Sequence, residues 1–337
     1  MDYEESEIEL NHGDDLARAS VTDVLQVIIS GYRDRVQLPH LSPTVKSLVV
    51  HRCTLTEDSV VSEGVQELTL EYLGNFGPLP RLPQSLTKLT MRFNAYPVVD
   101  LGEAKIMTFS AKGEQFRELV LPLGLVSLSL DTCVNYQALS AVMPRSLREV
   151  QVYNCRRLES LGGLGRVPIT SFRIGGDLRL RLSNLHLLLS RVESLIFDDY
   201  IGELPEISLP KLRHLSIVGC ADAHAVELNS PKLESLVINR CPLLEVNEIY
   251  AGTVQSLSLI KSPKVILPDW PPRLEKLVID QVGDLPYMPE LQYLGVLGST
   301  PRTNGKAVRD IAEYRQAWGY GRAKRPTNDE DRRSKAF

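Results

Sequence analysis

The chain has 337 residues, of which 43% are hydrophobic and 24% charged, and its formal net charge is -4. This is the composition of a soluble folded protein and not of a disordered or membrane protein. No apolar run approaches the ~18 to 20 residues that a membrane-spanning helix needs, so we expect no membrane insertion.

The N-terminal 23 residues carry eight acids against one base, and we expect residues 1–23 to form an acidic, mobile tail. An acidic start is unlike a secretory or mitochondrial signal, and the chain has five cysteines and no Asn-x-Ser/Thr sequon. We therefore expect a cytoplasmic protein, or one acting in a host cytosol if it is a secreted effector. Residues 24–44, with the apolar stretch VLQVII, are predicted to form an N-terminal cap.

Residues 45–299 contain a repeated pattern, apolar-x-x-Leu-x-apolar, as in VKSLVV, VQELTL, LRHLSI and LEKLVI. Thirteen copies are found, one of them the weaker AKIMTF at 104–109, and from Leu48 to Leu294 their average spacing is 20.5 residues. Their central positions are Leu48, Leu68, Leu89, Met107, Leu128, Val150, Phe172, Leu195, Leu215, Leu236, Leu257, Leu277 and Leu294.

Each copy predicts one short, half-buried strand, because residues two apart in a strand face the same side. A single such strand cannot bury its apolar side, so neighbouring copies must stack in parallel around a shared core. Prolines precede many of the strands, for example Pro83 and Pro144, and favour extended connections over helical ones. LRLSNLHLLLS, at 180–190, is the best candidate for a helical exception. The prediction is an α/β-type repeat solenoid: a curved ladder of about 13 short parallel strands with mostly extended connections on its convex side.

These residues resemble the leucine-rich repeat superfamily. Lead-ins such as LPQSLTKL and MPRSLREV are similar to the repeats of bacterial effectors, whereas LPKLRHLSIVGC and SPKLESLVINRC are similar to those of plant immune receptors. Both branches stay open. The resemblance implies the solenoid fold but no single function, because many functions share it.

The cysteines follow the repeat. They lie five residues after a central position, in the slot that leucine-rich repeats fill with Asn or Cys, and the resemblance implies that these side chains turn inward and satisfy backbone groups. We expect structural roles for Cys53, Asn94, Cys133, Cys155, Cys220 and Cys241.

No catalytic, cofactor or metal motif is recognisable. His214, Cys220 and His224 come nearest to a metal set, but Cys220 already belongs to the repeat slot, and neither Cys-x-x-Cys nor His-Glu-x-x-His occurs. We predict no catalytic residues, no metal and no cofactor, and therefore a non-enzymatic protein.

The outward residues of the predicted strands, one and three positions after each central residue, divide into two halves. From the second to the seventh repeat they are polar apart from Tyr153, whereas apolar residues recur from the eighth repeat onward. We predict that a protein partner binds this concave face through Ile196, Val218, Val237, Asn239, Ile260, Val278, Tyr293, Leu297, Tyr153, Arg173 and Asp198. The alternative is that β-branched residues occupy these positions only because they favour strands.

Beyond the repeats, apolar residues in KAVRDIAEYRQAW predict a capping helix within residues 300–320. Residues 321–337 form a basic tail, which we interpret as solvated. Nucleic-acid contact through this tail is the alternative, disfavoured because the segment is short and also contains acids. The sequence as a whole predicts a recognition scaffold for a protein partner. The second hypothesis is a structural subunit of a large assembly that contacts its neighbours through the oppositely charged tails.

Overall fold

A computed structural model of the chain describes residues 7–318 except for 22, 33, 75–77, 140–141, 179, 181, 183–188, 250, 266, 268–269, 281–283 and 299. The strands in chain order are β1 (Glu7–Asn11), β2 (Gln26–Ser30), β3 (Arg35–Val36), β4 (Ser47–His51), β5 (Thr54–Leu55), β6 (Glu67–Glu71), β7 (Lys88–Arg92), β8 (Val98–Asp100), β9 (Thr108–Lys112), β10 (Glu118–Val120), β11 (Ser127–Asp131), β12 (Glu149–Tyr153), β13 (Ser171–Asp177), β14 (Ser194–Ile201), β15 (His214–Val218), β16 (Ala225–Leu228), β17 (Ser235–Asn239), β18 (Glu245–Ile249), β19 (Ser256–Ile260), β20 (Lys276–Ile279), β21 (Tyr293–Val296), β22 (Arg302–Thr303) and β23 (Lys306–Ala307). Within the described residues, two α-helices, α1 (Arg18–Val21) and α2 (Ile311–Ala317), lie near the ends.

Fifteen of these strands form one parallel sheet in the order β1-β2-β4-β6-β7-β9-β11-β12-β13-β14-β15-β17-β19-β20-β21. Equivalent residues of neighbouring strands pair with each other. Leu48 thus lies beside Leu68, and Leu68 lies beside Leu89. Thirteen of the strands correspond to the thirteen predicted copies, and the solenoid prediction is confirmed.

Alternation along each strand builds the core. In β4 the second and fourth residues, Leu48 and Val50, are buried, whereas Ser47, Val49 and His51 point outward and are partly exposed. The pattern recurs along the ladder, and the buried residues of neighbouring strands merge into one continuous apolar core. No repeat could exclude water from its apolar side alone, which is why stacking is obligatory.

One predicted register is wrong. The weak copy AKIMTF places Met107 at the centre of its strand, but Phe109 is the residue that pairs with Leu89 and Leu128. Phe109 is fully buried and Met107 is 49% exposed. The correct pattern is Ile106-x-x-Phe109-x-Ala111. It is hard to recognise in the sequence because the small Ala111 occupies a core position that larger apolar residues fill in the other repeats.

The N-terminal region also differs from the expectation. Residues 7–11, placed by the sequence in a mobile tail, form β1, which pairs with β2 in register from Glu7 with Gln26 to Asn11 with Ser30. Leu10 of this strand is completely buried. The alternation in Glu-Ile-Glu-Leu-Asn is a strand signal that the acidic charge obscures.

The described connections are mainly turns and short extended pieces. Three parallel two-stranded sheets, β3–β5, β8–β10 and β16–β18, lie on the return side, along with two short 3₁₀ turns at Gly162–Arg166 and Ala251–Thr253. The predominantly extended connections agree with the prediction from proline. Most of 180–190, the proposed helical exception, lies outside the described residues.

From β2 onward, the described residue that follows the fifth position of a ladder strand adopts a left-handed backbone. Glycine takes this place at Gly31, Gly113, Gly176, Gly219 and Gly298, but Arg52, Tyr72, Phe93, Thr132, Asn154, Asp199, Arg240 and Lys261 adopt it too, with φ from 47° to 57°. This conformation reverses the chain away from the sheet, and residues with a Cβ adopt it at an energetic cost.

The C-terminal end is closed by the hairpin β22–β23 and by α2. Asp310 caps α2 by accepting a hydrogen bond from the backbone N of Glu313, whose carboxylate accepts one from the backbone N of Arg309. Val308 and Tyr314 are buried against the last repeats. The structure thus has a helix inside the predicted segment, and it begins at Ile311. The basic tail 321–337 lies outside the described residues.

Candidate binding face

The sheet exposes one continuous surface, which we call the strand face: the first, third and fifth residues counted from the start of each ladder strand, including Asp280 and Leu297, which directly follow β20 and β21. Because all fifteen strands are parallel and in register, these residues form three columns running the length of the sheet. Parallel stacking therefore converts a repeat in the sequence into rows of aligned side chains.

From β6 to β13 the strand face is polar. Lys88 Nζ lies 2.8 Å from Glu67 Oε2 in the first column, and Lys112 Nζ lies 3.0 Å from Asp131 Oδ2 in the fifth. Lys112 enters the face because of the corrected register of β9. The Lys88–Glu67 pair is exposed to solvent, and the Lys112–Asp131 pair is partly so, with the Asp131 side chain 22% exposed; such pairs add little to stability.

Three predicted partner residues meet at the centre of the face. The Arg173 guanidinium forms a salt bridge with the Asp198 carboxylate. The ring of Tyr153 lies against Gly175, in a space that any Cβ at position 175 would occupy. Burial, followed by the nearby carboxylates of Asp199 and Asp198, raises the pKa of the Tyr153 hydroxyl. The structure therefore brings Tyr153, Arg173 and Asp198 into one polar cluster.

Beyond this cluster the face becomes apolar in an ordered way. Over the six consecutive strands β14, β15, β17, β19, β20 and β21, one apolar residue per strand alternates between the third and fifth columns. We call this set the apolar zigzag: Ile196, Val218, Val237, Ile260, Val278 and Leu297. The remaining position on each strand is small or polar: Asp198, Ser216, Asn239, Ser258, Asp280 and Gly295.

The zigzag is partly accessible along its length. Five of its members are half-buried by their neighbours on the sheet, and Leu297 at the open end is 49% exposed. Tyr293, which is 53% exposed, borders this end, and the Lys276 ammonium lies 5.6 Å from the centre of its ring. The predicted partner residue Asn239 sits between Val218 and Ile260 in the fifth column. The structure thus assembles the sequence-predicted residues into the zigzag, its borders and the polar cluster.

The repeat-slot residues are buried, and their hydrogen bonds satisfy backbone groups. The Cys53 thiol donates to the carbonyl oxygen of His51 at 3.3 Å, and the Cys241 thiol donates to that of Asn239 at 3.3 Å. Asn94 accepts from the backbone N of Leu73 through Oδ1 at 2.9 Å. Burial raises the pKa of the Cys53 thiol, which favours the unreactive protonated form.

Sequence reasoning missed one slot residue of unusual chemistry. With β9 in its true register, Glu114 lies five residues after Phe109, and it is completely buried. Its Oε1 accepts from the Asn94 side chain, while Oε2 is buried and has no hydrogen-bond partner among the described residues. Burial raises the pKa of Glu114 to about 7. Counting from Phe109 instead of Met107 would have revealed it.

A second missed feature lies at the turn beside the polar part of the face. Tyr72 and Phe93, both left-handed and substantially exposed, stack with ring centres 4.9 Å apart. The Arg52 guanidinium lies 5.9 Å from the centre of the Tyr72 ring, and Phe93 covers Gly113. Protein groups therefore cover the faces of the Tyr72 and Phe93 rings, and mainly the ring edges are left for contact with another molecule.

No group of three or more His, Cys, Asp or Glu side chains is arranged to hold a metal ion within the described residues. In the weak metal set, His224 Nδ1 lies 3.0 Å from Glu203 Oε1, whereas Cys220 is buried in its slot. In the same part of the chain, no helix is long and apolar enough to cross a membrane.

Comparison with known proteins supports the fold. No protein-family model and no curated protein matches the chain. A solved structure described as a novel circular leucine-rich repeat protein, CroV588, is similar with a TM-score of 0.53 and 14% sequence identity, over 77% of this chain and 43% of that one. The chain thus spans less than half the length of that protein. The likeness shows a leucine-rich repeat-like solenoid fold.

Proposed function

We propose that this protein is a non-enzymatic recognition scaffold that binds a protein partner through the apolar zigzag of its strand face. The observation that carries the proposal is the unbroken run of six alternating apolar residues over the ladder strands from β14 to β21, after a polar surface over β6–β13. Contiguous exposed apolar surface is characteristic of partner sites.

Strand propensity alone gives a weaker account of this pattern. Valine and isoleucine favour strands wherever they occur, so propensity predicts no division between the two parts of the face. From β6 to β13 the third column instead holds threonine, serine, glutamine and arginine, of which Thr69, Ser129 and Gln151 are examples. The side chains of the polar part are therefore suited to contact with water or with polar groups of a partner. Those of the zigzag are suited to burial against an apolar partner surface.

The polar cluster would set the limit of the apolar contact. Arg173 and Asp198 are neutralised by each other at the start of the zigzag, where a partner that approached without polar groups would have to desolvate both. Charged groups at the edge of an apolar patch contribute mainly to selection and orientation of the partner.

The test is the triple substitution Val237→Ser, Ile260→Ser and Val278→Ser. These side chains are half-buried and point away from the core, so we expect a folded variant with a modestly lower melting temperature and a loss of partners in quantitative affinity purification from the source cells. The matched control, Leu123→Ser with Val134→Ser, removes exposed apolar residues away from the strand face. Unchanged capture by the triple variant would contradict the proposal.

A further inference from the structure

The zigzag has a regular geometry. Each step advances one strand, about 4.8 Å, and moves sideways by two residues along the strand, about 6.6 Å. From Ile196 on β14 to Leu297 beyond β21 there are five such steps, so the zigzag is about 24 Å long. The small or polar residues between its members, such as Ser216 and Ser258, keep it a single alternating line.

An α-helix with an apolar heptad seam has the same form. Its a and d residues lie alternately on the two sides of the seam and advance on average 3.5 residues, or about 5.3 Å, per apolar side chain. Against about 4.8 Å per ladder strand, the mismatch over five steps is about 2.5 Å, which side-chain rotation can absorb.

An extended strand fits less well. Its side chains on one face recur at about 6.7 Å along a straight line, with no alternation from side to side. If such a strand lay along the zigzag, its side chains would fall out of step with the ladder strands by about 10 Å over five steps. They would then meet polar positions of the face as often as apolar ones.

The borders of the zigzag differ in charge. Asp280 lies in the fifth column, where its carboxylate also accepts the backbone N of Lys261 at 2.7 Å, and Asp198 lies in the same column, paired with Arg173. Lys276 lies in the first column, on the opposite border. Because Asp198 is neutralised by Arg173, a complementary helix would carry a basic residue near Asp280 and an acidic residue near Lys276.

We propose, on the basis of the proposed function, that the partner segment is an amphipathic α-helix of about 16 residues with a heptad apolar seam, lying along the ladder over β14–β21. Its apolar side chains pack against the zigzag residues, and on the third-column side they enter the spaces above Ser216, Ser258 and Gly295. The small size of the serines provides these spaces.

The experiment uses two display libraries of 21-residue peptides with the same six apolar residues and randomised polar positions. In one library the apolar residues have heptad a and d spacing, and in the other they occupy every second position. Selection on the immobilised full chain should enrich heptad peptides at least tenfold over alternating ones. Val237→Ser with Ile260→Ser should abolish that enrichment, and the control Leu123→Ser with Val134→Ser should retain it.

The outcomes separate the two proposals. Enrichment of alternating peptides, lost in the Val237→Ser and Ile260→Ser variant, would overturn the helix and leave the binding face intact. Enrichment of neither library, or heptad enrichment that the strand-face substitutions leave unchanged, would also overturn the helix. In those cases the partner-capture experiment with the triple serine variant decides the proposed function independently.

Discussion

Glu114 and Asn94 occupy equivalent slots of adjacent repeats and are joined by two hydrogen bonds. Glu114 Oε1 accepts from the Asn94 backbone N at 3.1 Å and from Asn94 Nδ2 at 2.9 Å. Nδ2 also donates to the carbonyl oxygen of Leu70 at 2.9 Å. A carboxyl group thus takes the place that thiols or amides take elsewhere in the ladder, and it does so without access to water.

This pair predicts a pH-dependent stability. Burial raises the pKa of Glu114 to about 7 from an ordinary value of 4.5. The folded state therefore holds this proton more tightly than the unfolded state, and its stabilising contribution is complete below pH 4.5 and lost as pH rises through 7. The full contribution corresponds to about 3 kcal/mol. Urea unfolding of Glu114→Gln should show a smaller loss of stability between pH 5 and pH 8 than the wild type.

Glu118→Gln serves as the control for that measurement, because it removes an exposed carboxyl on the neighbouring strand β10. An identical pH dependence in the wild type and Glu114→Gln would show that Glu114 ionises normally in the folded protein.

A glycine fixes the centre of the strand face. A Cβ at Gly175 would overlap the carbonyl oxygen of Asp198 and lie 2.7 Å from the Tyr153 ring. The carbonyl belongs to the paired strand β14 and cannot move aside without disturbing the ladder. Gly175→Ala should therefore cost about 2 kcal/mol or more in the free energy of unfolding.

Gly124→Ala is the matched substitution, since a Cβ there meets no atom within 4 Å. Thermal melting of the two variants compares them directly. Equal melting temperatures would mean that the sheet accommodates a side chain at position 175.

The C-terminal cap depends on one phenol. The Tyr314 hydroxyl donates to the carbonyl oxygen of Pro286 at 2.8 Å and accepts from the backbone N of Met288 at 2.6 Å, in a buried site. Tyr314→Phe leaves both groups without this partner and should destabilise the cap by about 1 to 3 kcal/mol. Repeat arrays open from their ends, so hydrogen exchange should accelerate over 285–317 and stay unchanged over β4–β12.

Tyr72→Phe, at an exposed ring, should leave exchange in both regions unchanged. If hydrogen exchange accelerated equally throughout the Tyr314→Phe chain, this result would contradict a local role for the hydroxyl.

The sequence predicts most of the ladder because the same three apolar positions recur in every repeat. The pairing of β4, β6 and β7 that the structure shows follows from the spacing of Leu48, Leu68 and Leu89 alone. The predicted register of β9 is wrong because Ala111 at a core position weakens the pattern, while Met107 supplies a false centre. Strand β1 is missed because charge on the outward Glu7 and Glu9 outweighs the apolar residues between them.

The site is predictable in part. The residues of the zigzag follow from counting along each strand, but the alternation between columns becomes meaningful only when strand order and register are known. The Tyr153 contact with Gly175 joins neighbouring strands 22 residues apart in sequence, and no local pattern encodes it. Likewise, the buried carboxyl group of Glu114 cannot be inferred from an incorrect register.

Contact of a protein partner with the strand face over β14–β21 can be tested directly by crosslinking. A photo-crosslinking amino acid can be placed at exposed positions that border this region, His214 and Lys276, and at two exposed comparison sites, Lys88 on the polar part and Glu118 on the return side. After irradiation of intact source cells, we predict discrete adducts from positions 214 and 276 and only background from 118, with little from 88. Adducts formed mainly from 118 or 88, with none from 214 and 276, would contradict binding through this part of the face.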